Sequence, residues 1–159
     1  PLQIPVGAED DFRGMIDLLT MKLIVWDEHD VGQSFELLPI PEEWQAEALR
    51  WREHLLEQVA EFDEALLEKH LENAQTINPE DIQRAVREAT LQMRITPVLG
   101  GSAYKNKGIQ PLLDAAIRYL PSPEDKGEVV GINPETEADE VRQPTPEAPF
   151  AGLVFNRLR

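Results

Sequence analysis

Residues Thr96 to Leu120 (TPVLGGSAYKNKGIQPLLDAAIRYL) carry the residue types and spacing best suited to holding a ligand. A short apolar run, Pro97-Val98-Leu99, stops at Gly100-Gly101, and a small-residue turn, Ser102-Ala103, follows. Lys105-Asn106-Lys107-Gly108 is then the one cationic cluster of a very acidic sequence, and an amphipathic helix begins behind it. Strand, glycine-rich turn and helix is the order in which α/β proteins present backbone N–H groups at the carboxyl end of a strand. A plain βα connection that binds nothing has the same look.

A second pattern is acidic. Glu57, Glu61, Glu64 and Glu68 recur at intervals of three and four. At about 100° per residue they form a narrow stripe on a single helix. The stripe lies almost opposite the apolar set Trp44, Ala48, Trp51, Leu55, Val59, Phe62 and Leu66. Only Lys69 is nearby to compensate it, so the glutamates repel one another. Such a stripe is either a solvated face or a docking surface for a cationic helix.

Other chemistry is missing. His29, His54 and His70 have no metal-like spacing, and His54 with Glu57 reads as a surface pair. There is no G-x-S-x-G, no P-loop and no G-x-G-x-x-G fingerprint. Asp11-Phe12-Arg13-Gly14 matches the DxxG spacing of nucleotide switch loops, but no buried apolar strand precedes it. Read by residues alone, the chain is not a self-contained enzyme.

The elements that must position these residues follow from periodicity. Leu2 to Val6 reads as a strand closed by Gly7, and Gly14 to Trp26 as one long strand or two with a kink. His29 to Gln33 reads as a hairpin turn and Ser34 to Ile40 as the return strand, completing a small antiparallel sheet. Pro41-Glu42-Glu43 opens a helix that reaches Leu71, either continuous or bent near Glu53 or His54. Asn78 caps the next helix, which runs to about Met93 and buries Ile82, Ala85, Val86, Ala89 and Met93. The helix after the glycine turn has Ile109, Leu112, Leu113, Ala116, Ile117 and Leu120 on its inner side and ends at Pro121. Glu124 to Ala148 is Pro/Glu-rich and reads as an exposed connection, and Phe150 to Leu158 as a new strand.

With 159 residues the chain can build one core or two small ones. It has no cysteine, which excludes disulfides and thiolate metal sites and fits a reducing compartment. No apolar run is long enough to span a bilayer and no signal peptide is visible, so the expectation is a soluble protein without membrane contact. A formal charge of −15 repels phosphate backbones and suits a basic protein partner or simple solubility. Pro1 at the start and a strand still running at Arg159 suggest a piece of a longer chain.

Three stretches resemble elongation factor G, a family of translational GTPases: LQIPVGAEDDFRGMIDLLTMKLIVW (Leu2 to Trp26), GGSAYKNKGIQPLLDAAIRYLPSP (Gly100 to Pro123) and EAPFAGLVF (Glu147 to Phe155). The resemblance implies an α/β fold. A small antiparallel sheet with helices would be followed by a βα unit of a P-loop GTPase domain and the first strand of a β-barrel domain. Residues 1–95 would be the G′ insert, 96–123 the end of the G domain, 124–148 a linker and 149–159 the start of domain II. Gly101, Ser102 and Ala103 would be the fifth G-box, helping to recognise guanine, with Lys105 near the base or sugar. Glu57, Glu61 and Glu64 would meet the basic carboxyl-terminal domain of the ribosomal stalk protein. The intact protein would bind GTP or GDP with Mg²⁺, work on the ribosome and reside in the cytoplasm. This piece, lacking P-loop, switch and NKxD, would neither hydrolyse nor hold nucleotide alone, nor touch nucleic acid directly. An acidic interaction module, or a paralogous ribosome-protection or release-factor GTPase, remain the alternatives.

Overall fold

A computed structural model describes residues 1–27, 29, 32–73, 77–133 and 135–150. The chain divides into two compact units, Pro1–Leu120 and Pro121–Arg159.

In the first unit four strands run in chain order as an antiparallel meander: β1 (Gln3–Val6), β2 (Gly14–Asp17), β3 (Lys22–Trp26) and β4 (Phe35–Leu38). The β1 register pairs Ile4 with Ile16, and the β2 register pairs Met15 with Ile24. The stretch from Gly14 to Trp26 is thus two strands. Asp17 makes the turn between them: its carboxylate accepts from the Leu19 N–H at 3.0 Å and from the Thr20 hydroxyl at 2.5 Å. Short polar side chains bend the backbone in this way because they offer it a local acceptor. Ile4, Val6, Ile16, Leu18 and Leu23 join the main core; Met15, Ile24 and Trp26 form a smaller cluster.

Three helices cover the main core: α1 (Glu42–Ala60), α2 (Glu64–Asn73) and α3 (Pro79–Leu91). Ala48, Leu55, Leu56, Val59 and Ala60 of α1 and Leu66 of α2 are buried, with Trp44 and Trp51 packed against them. The apolar spacing of three and four is realised. The continuous helix is not, and neither is the bend at Glu53 or His54: the break falls at Glu61 to Asp63. The Asp63 carboxylate accepts from the Leu66 N–H at 3.0 Å, starting α2 as a new helix. Arg84 of α3 holds the same carboxylate at 2.8 Å. A tertiary partner thus fixes a cap that helical periodicity conceals.

Asn78 caps α3 as expected, its side chain accepting from the Asp81 N–H at 2.8 Å. Ile82, Ala85, Val86 and Ala89 are buried, but Met93 is 91% exposed with φ +56°, outside the helix. Residues 95–100 form no strand, contrary to the expectation for Pro97-Val98-Leu99. A ladder needs a partner along its length. Here the Leu2 N–H donates to the Val98 carbonyl at 2.9 Å.

Helix α4 (Ile109–Tyr119) closes the unit. Its buried residues are Ala115 and Tyr119, whereas Leu112, Leu113, Ile117 and Leu120 are exposed, Ile117 to 82%. The predicted inner side is therefore largely outward.

In the second unit, the described residues of 124–148 are mostly exposed but not an unstructured connection. A short helix, α5 (Pro123–Lys126), has a capping box between Ser122 and Asp125. A hairpin, β5 (Val129–Ile132) with β6 (Asp139–Arg142), follows. Asn133 turns it by accepting from the N–H groups of Glu135 and Thr136. Prolines and glutamates around this hairpin masked its β-branched strand. The strand expected from Phe150 to Leu158 lies outside the described residues beyond Phe150.

Candidate functional site

The glycine turn is held shut by its own backbone. The Ser102 N–H donates to the Lys107 carbonyl at 2.8 Å, and the Lys107 N–H returns to Ser102 at 3.0 Å. Between them Ala103 to Lys105 make a single 3-10 turn that ends at Asn106, in the left-handed region with φ +53°. Asparagine tolerates that region because its side chain can bond locally.

Gly101 and Gly108 let the two limbs of the loop touch. A Cβ on Gly101 would lie 2.5 Å from the Lys107 carbonyl oxygen. One on Gly108 (φ +94°) would lie 2.9 Å from the Gly101 Cα. No larger residue permits that approach.

Within this loop the described residues provide no acceptor for the N–H groups of Ala103 and Tyr104. Ala103 and Lys105 are exposed, Ser102 is half-buried and Lys107 is buried. The two lysines of the cationic cluster therefore part company: Lys105 is on the surface and Lys107 is part of the frame. A cleft of about 120 Å³ opens beside the turn, lined by Leu99, Gly101, Ala103, Gly108 and Leu112 among others. Backbone donors without an acceptor inside the loop, beside small side chains, suit a flat ring carrying acceptor oxygen or nitrogen atoms. Phosphoryl chemistry needs further charged groups.

The acidic residues have a different geometry from the one periodicity predicts. Glu57 lies on α1, Glu61 caps its carboxyl end, and Glu64 and Glu68 lie on α2. The single-helix stripe is thus divided by the break at Asp63, although all four side chains are exposed. Glu57 approaches His54 at 3.9 Å, as the shared helical face predicts.

Lys69 does not compensate the stripe at all. It bonds Asp81 at 2.6 Å, and Asp81 also meets Arg84 at 3.2 Å. The Lys69 hydrogen bond outweighs burial and, with Arg84 and the Asn78 cap, holds the Asp81 carboxyl below the usual range. Burial alone would raise Asp63; the Arg84 bond and charge and the N–H groups of Leu66 and Ala65 overcome it, and the net direction is down.

Sequence reading passed over Asp63, Arg84, Arg52 and Gln110. Arg52 of α1 donates to the carbonyls of Leu18 at 2.5 Å and Leu19 at 2.7 Å, docking the helix on the β2–β3 turn. Only an arginine within an apolar helical face hinted at it. Among the described residues no cluster of three or more His, Asp or Glu could hold a metal ion, and no helix is long and apolar enough to cross a membrane. In the Asp11–Gly14 stretch, Asp11 ends a 3-10 turn (Glu9–Asp11), Phe12 and Arg13 are a short link, and Gly14 opens β2.

These features define a mixed α/β segment, a sheet-and-helix unit leading into a small-residue turn and a helix. A crystal structure of a Thermus thermophilus protein superposes on it with a TM-score of 0.66 at 26% identity, over 90% of this chain and 22% of that one. Two relatives named elongation factor G match it over 155 residues each: that of Amoebophilus asiaticus (strain 5a2) at 47% identity and that of Cytophaga hutchinsonii at 48%. Each match covers 98% of this chain and 22% of the relative. The chain is homologous to elongation factor G and spans about a fifth of that factor's length. No family model matches.

Proposed function

We propose that this chain is part of a ribosomal translocation GTPase of the elongation factor G type. It supplies a guanine-contacting turn and an acidic docking surface. Identity of 47–48% across 98% of the chain to proteins of that name is the observation that carries the reading. The turn supports it: Gly101 and Ala103 are exposed small residues, the Ala103 N–H has no acceptor within the loop, and Lys105 stands exposed beside them. In this reading the Ala103 and Tyr104 N–H groups face the base, and Lys105 its rim or the sugar. When bound, GTP with Mg²⁺ supplies the reactive phosphate; this chain's part is to orient the base. The insert and linker boundaries at 95/96, 123/124 and 148/149 belong to the same reading, as does a cytoplasmic location.

Glu57, Glu61 and Glu64 form the docking surface for the basic carboxyl-terminal domain of the ribosomal stalk protein. Their exposure and the diversion of Lys69 to Asp81 support this. A surface of this kind acts on encounter rate and is screened by salt. Glu57→Lys, Glu61→Lys and Glu64→Lys together, in the full-length factor, lower ribosome-stimulated GTP turnover at limiting ribosome by about tenfold at low salt. The deficit shrinks as ionic strength rises. Turnover equal to the parent's at low salt refutes the docking assignment.

A further inference from the structure

The side-chain amide of Gln110, in the first turn of α4, is bonded on both its ends to the opposite side of the unit. Its Nε2 donates to the carbonyls of Gly32 at 2.9 Å and Gln33 at 3.0 Å. Its Oε1 accepts from the Trp26 indole N–H at 3.3 Å. A reversed amide would set oxygen against two carbonyls and NH₂ against an N–H, so its orientation is fixed. Trp26 is 2% exposed at the end of β3, with the Phe35 ring 6.3 Å away, so the anchor is rigid.

The same hairpin also touches the glycine turn. Gly32 has φ +76°, and a Cβ there would lie 3.1 Å from both the Lys105 and the Asn106 carbonyl oxygens. The backbone at Gly32 therefore rests on the turn that carries Ala103 and Lys105. Gln110 is a hydrogen-bonding link that holds it there, across 77 to 84 residues of sequence.

We propose that Gln110 is a positioning residue for the nucleotide site. It clamps the insert's sheet onto the small-residue turn, so that the sheet sets the turn's fit to the guanine base. This rests on the reading of Gly101 to Lys105 as a base-contacting turn, and adds to it a route by which the insert governs nucleotide retention.

The test uses the full-length factor and fluorescent (mant-labelled) GDP. Gln110→Leu keeps the size and removes all three bonds, and it speeds GDP release by about 5–10-fold, within the usual span of coupling between sites. Gln110→Glu, which turns a carboxylate on two carbonyls, speeds it at least as much; Trp26→Phe, which removes one bond, speeds it less. The single-turnover rate of GTP cleavage stays at the parent's value, because the clamp touches no phosphate group. Ala103→Leu, at an exposed position of the turn, serves as control for the underlying reading. If Ala103→Leu speeds release while Gln110→Leu stays within twofold of the parent, the clamp is wrong and the turn assignment survives. If Ala103→Leu has no effect, the turn assignment itself fails. A Gln110→Leu protein that only loses binding amplitude, with the release rate constant of the remainder unchanged, shows a merely structural role and also overturns the proposal.

Discussion

Arg52 shows how much one side chain on an apolar helical face can decide. Its guanidinium is half-buried, and burial pulls its pKa down while the Asp17 charge works the other way. It stays cationic at any ordinary pH because an arginine's ordinary value lies far above that range. The strength of the contact comes from fixed donors facing the carbonyls of Leu18, Leu19 and, at 3.4 Å, Ile77. Charged donors to buried carbonyls contribute about 1.5–3 kcal/mol, and carbonyls left unpaired add to the loss. Arg52→Met, which keeps the stem and removes the donors, destabilises the 159-residue chain by about 2–3 kcal/mol in urea unfolding. A loss below about 0.5 kcal/mol, the usual range for surface substitutions, would show the contact to be incidental.

At the scale of elements, the junction of α1, α2 and α3 is built from charge. Asp63 and Asp81 are largely buried, and Arg84 bonds both while Lys69 bonds the second. Both carboxyl pKa values are lowered in the folded chain. A depressed carboxyl pKa adds stability above the unfolded value of about 3.9, and that stability disappears as pH falls through the folded values. Thermal midpoints of the parent should therefore drop steeply below about pH 4. Asp63→Asn with Asp81→Asn should flatten that acid limb while lowering the midpoint at pH 7. An acid limb as steep as the parent's would place the titrating groups elsewhere. The Asp63 cap also explains why one periodic stretch became two helices. Residues 42–71 keep a helical apolar spacing across the break, because α1 and α2 cover the same core.

For the whole molecule, two surfaces contrast. The net charge of −15 leaves Glu57, Glu61, Glu64 and Glu68 of the acidic stripe facing no described lysine or arginine, since Lys69 and Arg84 are engaged inside the helical junction. The outer face of α4, by contrast, is apolar: Leu112, Leu113 and Ile117 are all exposed. An exposed side chain gives up little on replacement. In the 159-residue chain, Ile117→Ser changes unfolding free energy by less than about 0.5 kcal/mol. A loss of about 2 kcal/mol or more would mean that this face is covered within the chain itself.

Much of this arrangement was legible from residue order. The strands around Leu2–Val6 and Ser34–Ile40, the strand-forming Gly14–Trp26 stretch, the Asn78 cap and the buried Ile82, Ala85, Val86 and Ala89 of α3 follow from local rules, since alternation, capping and helical spacing act between near neighbours. The glycine turn was legible for the same reason: Gly100-Gly101 stops an apolar run ahead of small residues and a helix start, although the close approach of Gly101 and Gly108 belongs to the structure. Residue order by itself therefore determined the sheet of the first unit and α3 and singled out the turn, but it gave a strand at Pro97-Val98-Leu99 that does not form and no sign of the β5–β6 hairpin. Tertiary structure alone decided where the helix breaks, because Arg84 reaches Asp63 from 21 residues away. It alone decided that Lys69 serves Asp81 and not the glutamates, and that the apolar side of α4 faces outward. It also brought Gln110 to Trp26 across 84 residues. Spacing reports only on bonds between neighbours; these contacts form between elements, after the sheet and helices have packed.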